Sequence, residues 1–267
     1  MSIFTKKGSE AVAAATAEKD TKGSAIVSFN GGTTLKVRVK SVEDTAEYYG
    51  YGIYNKVNTF VPKQPAERNA KGFITTNPTV WDQAANYYYG LAKETKERGD
   101  EKAAEELSKK GYLYKGKPRY LIGLGSLETG ENIVVDLTAK QGKTVIAAMQ
   151  KYAKKLDKVA FELSKTGSST DTVVTLTPIL DMDEDLTDAE CVNFAKCGEK
   201  PFDFALFDDC LYLADETEQI KNLVVAGFDI GILGLTLGAN TQSNATTPDA
   251  SEPTGAPIEI SDADLPF

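Results

Sequence analysis

Two stretches of the chain interleave aromatic rings with cations, and this pairing is the clearest chemistry on offer. The first holds Lys36, Arg38, Tyr48, Tyr49, Tyr51, Tyr54, Lys56, Phe60, Lys63, Arg68 and Lys71. The second, KKGYLYKGKPRY, holds Tyr112, Tyr114, Lys115, Lys117 and Arg119. A nucleobase stacks on an aromatic face for about 1 to 3 kcal/mol while Lys and Arg track the phosphates, which suits binding of a single strand whatever its sequence. Half-buried strand tyrosines are also common in cores. That role stays open for any single ring, whereas the cations between them favour binding for the cluster.

Other chemistries fail on residue type or spacing. The chain has no histidine, which removes Ser-His-Asp and Cys-His nucleophile activation and imidazole metal ligation. Gly142-Lys143-Thr144 carries the end of a phosphate loop, yet Leu137 stands where its first glycine belongs. Gly123-x-Gly125 lacks the third glycine at dinucleotide spacing. Asp181, Asp183 and Asp185 open like a calcium loop, but Leu186 replaces its glycine and Val192 its bidentate glutamate. The same carboxylates in a loop, without ligands on strands, make a poor two-metal nuclease. No catalytic residue, metal or cofactor is expected. Cys191, Cys197 and Cys210 form an odd set without CxxC, which fits a reducing, cytoplasmic setting better than a disulfide framework or zinc ribbon. No apolar run approaches the roughly 20 residues that span a bilayer, and the N-terminus lacks a signal-peptide core. No membrane association is expected.

The elements that must position the rings and cations follow from pattern. Of the 267 residues, 41% are apolar, enough for a sizeable core. SAIVSF, Asn30-Gly31-Gly32 and TLKVRVKSV predict a hairpin, with Leu35, Val37 and Val39 on one face and Lys36, Arg38 and Lys40 on the other. From about Thr79 to Lys110 a charged pattern broken at Gly99-Asp100 predicts two inserted helices. KPRYLIGLGSL and NIVVDLT read as strands. From Ala139, Val145, Met149, Tyr152, Leu156 and Val159 recur at helical spacing, and Lys140, Lys143, Lys151, Lys154 and Lys155 lie opposite. VAFELS and TVVTLTP close the body as a second hairpin. The whole suggests a small β-barrel with helical additions.

Charge divides the chain. Up to Pro178 there are 27 Lys+Arg against 20 Asp+Glu, a balance of +7, and from Ile179 onward 3 against 19, or -16, which together recover the net -9. A basic body joined to an acidic C-terminal part suggests polyanion binding with an acidic segment that can screen or recruit.

The final Asp262-Ala263-Asp264-Leu265-Pro266-Phe267 resembles the acidic, Phe-terminated tip of bacterial and phage single-stranded DNA-binding proteins. The stretch from KPRYLIGLG to TVVTLTP is similar to the second half of the OB-fold core in T-even-type phage helix-destabilising proteins. TKKGSEAVAAATAEK is similar to their N-terminal arm. The resemblance covers most of residues 1–178 as an order of elements, and the tip is its sharpest point. Where that family carries a zinc ribbon, this chain has Asn77-Pro78 and a helical insertion without Cys or His, so zinc is not implied.

What the resemblance implies is a mainly β chain, an OB-fold barrel with a helical insertion and a flexible acidic tail. Residues 1–22 would be a basic arm, 23–180 the core, 181–237 a partly ordered acidic segment, and 238–267 a disordered linker and tip. It implies a protein without catalytic activity that coats single-stranded DNA in phage replication, recombination and repair. Asp262, Asp264, Leu265, Pro266 and Phe267 would dock replication or recombination proteins, and Lys6 and Lys7 would support self-association along DNA. The tail would also occupy the cationic groove until DNA displaces it. A strand-annealing recombination protein and a phage structural or assembly protein are the rival readings.

Overall fold

The computed structural model describes residues 25–167 and 171–237. The arm at 1–22 and the linker and tip at 238–267 lie outside the described residues, and with them Lys6, Lys7 and Asp262 to Phe267.

The first unit is organised around one bent strand. In β1 (Thr34–Arg38) and the residue after it, alternation sends Val37 and Val39 into the core at 0% exposure, with Lys36 and Arg38 on the opposite face. One edge of β1 pairs antiparallel with β8 (Phe161–Thr166), Leu35 facing Leu163. The other meets the end of β6 (Lys117–Ser126), Val37 facing Ser126. After a bend, β2 (Thr45–Ile53) continues along the same edge of β6, from Thr45 opposite Ile122 to Gly50 opposite Lys117. The far edge of β6 takes β7 (Asn132–Thr138), and β8 turns back into β9 (Val173–Pro178). Helix α3 (Ala139–Lys151) follows β7, its start marked by the Thr138 amide donating to Gln141 Oε1 at 3.3 Å. Its fully buried Val145 and Met149 close a core with Ile122, Leu124, Leu137 and Phe161.

A second unit grows from the far end of β2. There β3 (Val57–Pro62) turns back through Asn55, and β10 (Leu213–Ala214) adds a parallel edge. The charged stretch forms α1 (Val80–Glu97) and α2 (Glu101–Tyr114), hinged at Gly99 and capped by Asp100. They pack on β2 and β3 together with α7 (Glu216–Ala226). Trp81 is fully buried and donates its indole N–H to the Gln219 carbonyl at 3.0 Å, tying α1 to α7. The short pair β4 (Glu67–Arg68) and β5 (Ile74–Thr76) forms its own ladder in the connection between β3 and α1.

Between the units run α4 (Met182–Asp185), α5 (Asp188–Gly198) and α6 (Ala205–Asp208). Residues 181–237 are therefore anchored by burial at two places: Phe202 and Phe207 form a cluster with Leu121 and Val134 on the outer face of the first sheet, and Leu223 and Phe228 bury beside Trp81 in the second core.

Two expectations change. Helices hold 40% and strands 27% of the described residues, and the eight-stranded sheet is open, with no ladder joining β7 to β9 among them. The chain is a mixed α and β fold, not a mainly β closed barrel, because β6 serves both bent halves of the first strand and the sheet spreads onward into β3 and β10. The hairpin across Asn30-Gly31-Gly32 also fails to form. The turn is present, but both edges of β1 are taken by β8 and β6, so Ala25 to Val27 run beside β7, Ile26 bridging Val134.

Candidate nucleic-acid interface

The cations on the outer face of β1 are all engaged by the acidic segment. Lys36 Nζ donates to the Asp185 carbonyl at 2.8 Å and pairs with Glu190 at 3.1 Å. Arg38 Nη1 donates to the Phe194 carbonyl at 2.8 Å while its guanidinium stands 4.2 Å from the Phe194 ring centre. Lys40 donates to Asn132 Oδ1 at 2.6 Å and to the Lys200 carbonyl at 3.0 Å. Hydrogen bonds from Thr187, then the Lys36 contact, hold the Glu190 carboxyl below its usual range despite some burial. Next to them Gly123 and Gly125 make a flat floor: a Cβ on either would run into Phe202 or Cys197. Cys197 is buried, and burial pushes its thiol up. At the bend itself Asp44 is buried with one carboxylate oxygen unpartnered, and burial raises its pKa.

Farther along the same face Arg119 makes a two-nitrogen contact with Asp136, the shorter at 2.7 Å, and donates to the Tyr48 hydroxyl at 3.1 Å. Burial first, and Asp136 next, push the Tyr48 hydroxyl well above the ordinary tyrosine range. Lys36, Arg38, Tyr48 and Arg119, expected at a DNA surface, are thus holding the segment and the sheet in place.

Three expected stacking rings are core. Tyr51 is 3%, Phe60 1% and Tyr114 5% exposed, packed around Trp81, so none offers a face to a base. The reason is the inserted helix pair, which covers this end of β2 and β3. The Tyr51 hydroxyl donates to Asp82 Oδ2 at 2.8 Å, and Arg68 Nη2 donates to the Tyr51 oxygen at 3.0 Å and pairs with Asp82 Oδ1 at 3.2 Å. Thr79 adds its amide and hydroxyl to Asp82, so the buried carboxylate is fully partnered.

What remains open lies between the two cores. On the β2–β6 ladder Glu47 faces Tyr120 and Tyr49 faces Pro118. One step further in either direction the same face is buried, by Ile122 under α3 and by Tyr51 under α1. Tyr49 and Tyr120 are left partly exposed on this strip. The Arg68 guanidinium sits 4.0 Å from the Tyr49 ring centre, Gly72 lies against the Tyr49 hydroxyl, and Tyr120 donates to Glu47 at 3.2 Å while its ring rests on Gly142 of α3. Burial, then Glu47, raises both hydroxyls, with Arg68 opposing this at Tyr49.

Around the strip the remaining candidates are scattered. Tyr54, 90% exposed, and Lys56 occupy the β2–β3 tip. Lys63 stands 3.7 Å from Asp215, and Lys71 is exposed on the loop that carries Arg68. Lys117 Nζ is 4.5 Å from the Tyr112 ring centre, beside exposed Lys115. The structure brings together Tyr49 with Arg68 and Tyr112 with Lys117. Tyr120 closes the segment KKGYLYKGKPRY, yet sequence reasoning does not single it out as a site residue. The signal that could have found it is position: it is the last ring on its strand face before the strand leaves the core.

Among the described residues no group of three or more His, Cys, Asp or Glu is placed to hold a metal, and no helix is long and apolar enough to cross a membrane. The chain matches no family model, no curated protein and no solved structure.

Proposed function

We propose that this chain is an OB-fold single-stranded DNA-binding protein, without catalytic activity, that coats DNA strands exposed in phage replication, recombination and repair. The order of elements supports the fold: a bent first strand, β6, β7, a helix, then the β8–β9 hairpin returning to β1. That order suits a five-stranded, partly open Greek-key barrel, in which the second and third strands and the loop after the first strand bind oligonucleotides. Here β3 to β5 and both inserted helices lie within that one loop. The outer face of β6 and β7 is covered by Phe202 and Cys197, which leaves the strip beside the loop for a bound strand.

The observation that carries the reading is the pair of partly exposed rings, Tyr49 and Tyr120, flanked by Arg68 from the enlarged loop. Bases would stack on the tyrosines and phosphates would meet exposed Lys71, while Arg68, held by Asp82 and Tyr51, keeps the Tyr49 ring in place. The acidic tip from Asp262 to Phe267 would hand the strand to replication or recombination partners. Because Trp81 is fully buried, its fluorescence is a poor reporter, and anisotropy of labelled oligo(dT) is the direct test. The expected result is binding that weakens steeply with salt. A full-length chain that binds no oligo(dT) even at low salt overturns the reading and leaves a phage assembly protein in its place.

A further inference from the structure

The lysines on the solvent side of α3 and the turn after it belong to no pairing that explains them. Residues 139–158 hold Lys140, Lys143, Lys151, Lys154, Lys155 and Lys158 against the single acid Asp157, a balance of +5. All six are exposed, and no salt bridge among the described residues reaches any of them. At roughly 100° per residue, Lys140, Lys143 and Lys151 fall on one stripe opposite Val145 and Met149. Lys154, Lys155 and Lys158 prolong it past the helix end.

Two comparisons separate this stripe from an ordinary solvated face. Helices α1 and α2 mix both signs, as in the Lys109–Glu105 pair at 2.7 Å. Unmixed lysines three and four apart repel by a few tenths of a kcal/mol per pair, about 0.2 to 0.5. The helix dipole welcomes Lys151 at the C-terminal end, but Lys140 stands in the first turn, which holds no acid, and Lys143 just after it. Cations at the positive end of a helix are locally unfavourable, and an anionic ligand would offset that. The stripe also starts on the helix that borders the strip: Gly142, buried on the core side of the first turn of α3, is the residue on which the Tyr120 ring rests.

We infer that this stripe is a second phosphate-binding surface, a rail about 20 Å long over α3 alone, which takes the sugar-phosphate backbone of a single strand after it leaves Tyr120. The inference rests on the proposed function and assigns the strand a direction across the surface. Recognition on the rail is electrostatic and blind to base identity, since ammonium groups meet phosphates and not base edges.

The test compares full-length protein with a variant carrying Lys151→Gln, Lys154→Gln, Lys155→Gln and Lys158→Gln, a second variant with Lys140→Gln and Lys143→Gln, and a Tyr49→Leu, Tyr120→Leu control. Each is titrated with a short oligo(dT) of about 8 nucleotides, within the ~4 to 16 that one OB fold covers, and with a long one several times that length. Because removing exposed like charges offsets the small loss of Lys151 at the helix end, thermal melts should stay close to the parent's. The quadruple variant should bind the short oligomer as the parent does. On the long one its slope of log K against log salt should fall by about 0.7 per lost phosphate contact, close to three units in all. The Lys140, Lys143 variant should lose about half as much, and the tyrosine control should weaken both lengths. Parent-like slopes on the long oligomer overturn the rail while leaving the proposed function standing. Equal loss on both lengths also overturns it, by placing those lysines in the primary site. A parent that binds neither length overturns the function, and the rail with it.

Discussion

The outer face of β1, β6 and β7 and the strip between the two cores use the same ingredients to opposite ends. On the outer face Arg38 lies over Phe194 and bonds its carbonyl, and Phe202 fills the floor left by Gly123 and Gly125. On the strip Arg68 lies over Tyr49, but the ring stays partly exposed. A cation beside an aromatic ring is therefore no signature of binding by itself. What distinguishes the two is whether exposed cations without acceptors in the chain remain nearby. Lys36, Arg38 and Lys40 meet a carboxylate, an amide oxygen and four carbonyls within the chain, whereas Lys71 and the lysines of α3 meet none among the described residues.

The comparison can be broken first at Phe202. Phe202→Ala should cost about 3 to 5 kcal/mol of stability by opening a cavity on the covered face. Urea unfolding would read this as a lower midpoint at unchanged slope; under conditions where the variant stays folded, its oligo(dT) affinity should match the parent's. A gain in affinity would mean that the covered face is a strand site held shut.

The strip is tested by Tyr49→Leu and Tyr120→Leu, which keep bulk and remove the stacking plane. Each should weaken oligo(dT) binding by about 1 to 3 kcal/mol, or about 5- to 150-fold, with an unchanged melt. If both leave affinity intact, the strip is not where bases stack.

The smallest effect sharpens the contrast between held cations and open ones. Arg38→Gln leaves the Phe194 carbonyl short of its donor and should cost about 1 to 3 kcal/mol of stability with no change in salt slope. Measuring both on one preparation distinguishes a structural cation from a phosphate contact, because only the latter moves the slope.

Much of the local structure could be read from pattern. The helical period of α3, the alternation of β1, the paired charged helices hinged at Gly99 and the β8–β9 hairpin all follow from short-range rules of spacing and capping. The segments carrying rings and cations were also legible, as was the charge break near Pro178. The pairing around residues 24–40 was not, since a hairpin signal cannot tell that both edges of β1 are claimed by strands roughly 90 and 125 residues away.

Nor could sequence sort one ring from another. Tyr49 and Tyr51 share a strand and a face, and their local context is nearly the same; one is partly exposed at the rim of the second core and the other is 3% exposed within it. The same holds for the acidic segment after Pro178, whose composition reads as a solvated tail until Phe202, Phe207, Leu223 and Phe228 are seen buried in two separate clusters. Composition and periodicity belong to the chain and survive in any arrangement of it. Which cation finds a carbonyl and which stays open depends on distances between residues far apart in sequence, and folding alone sets those.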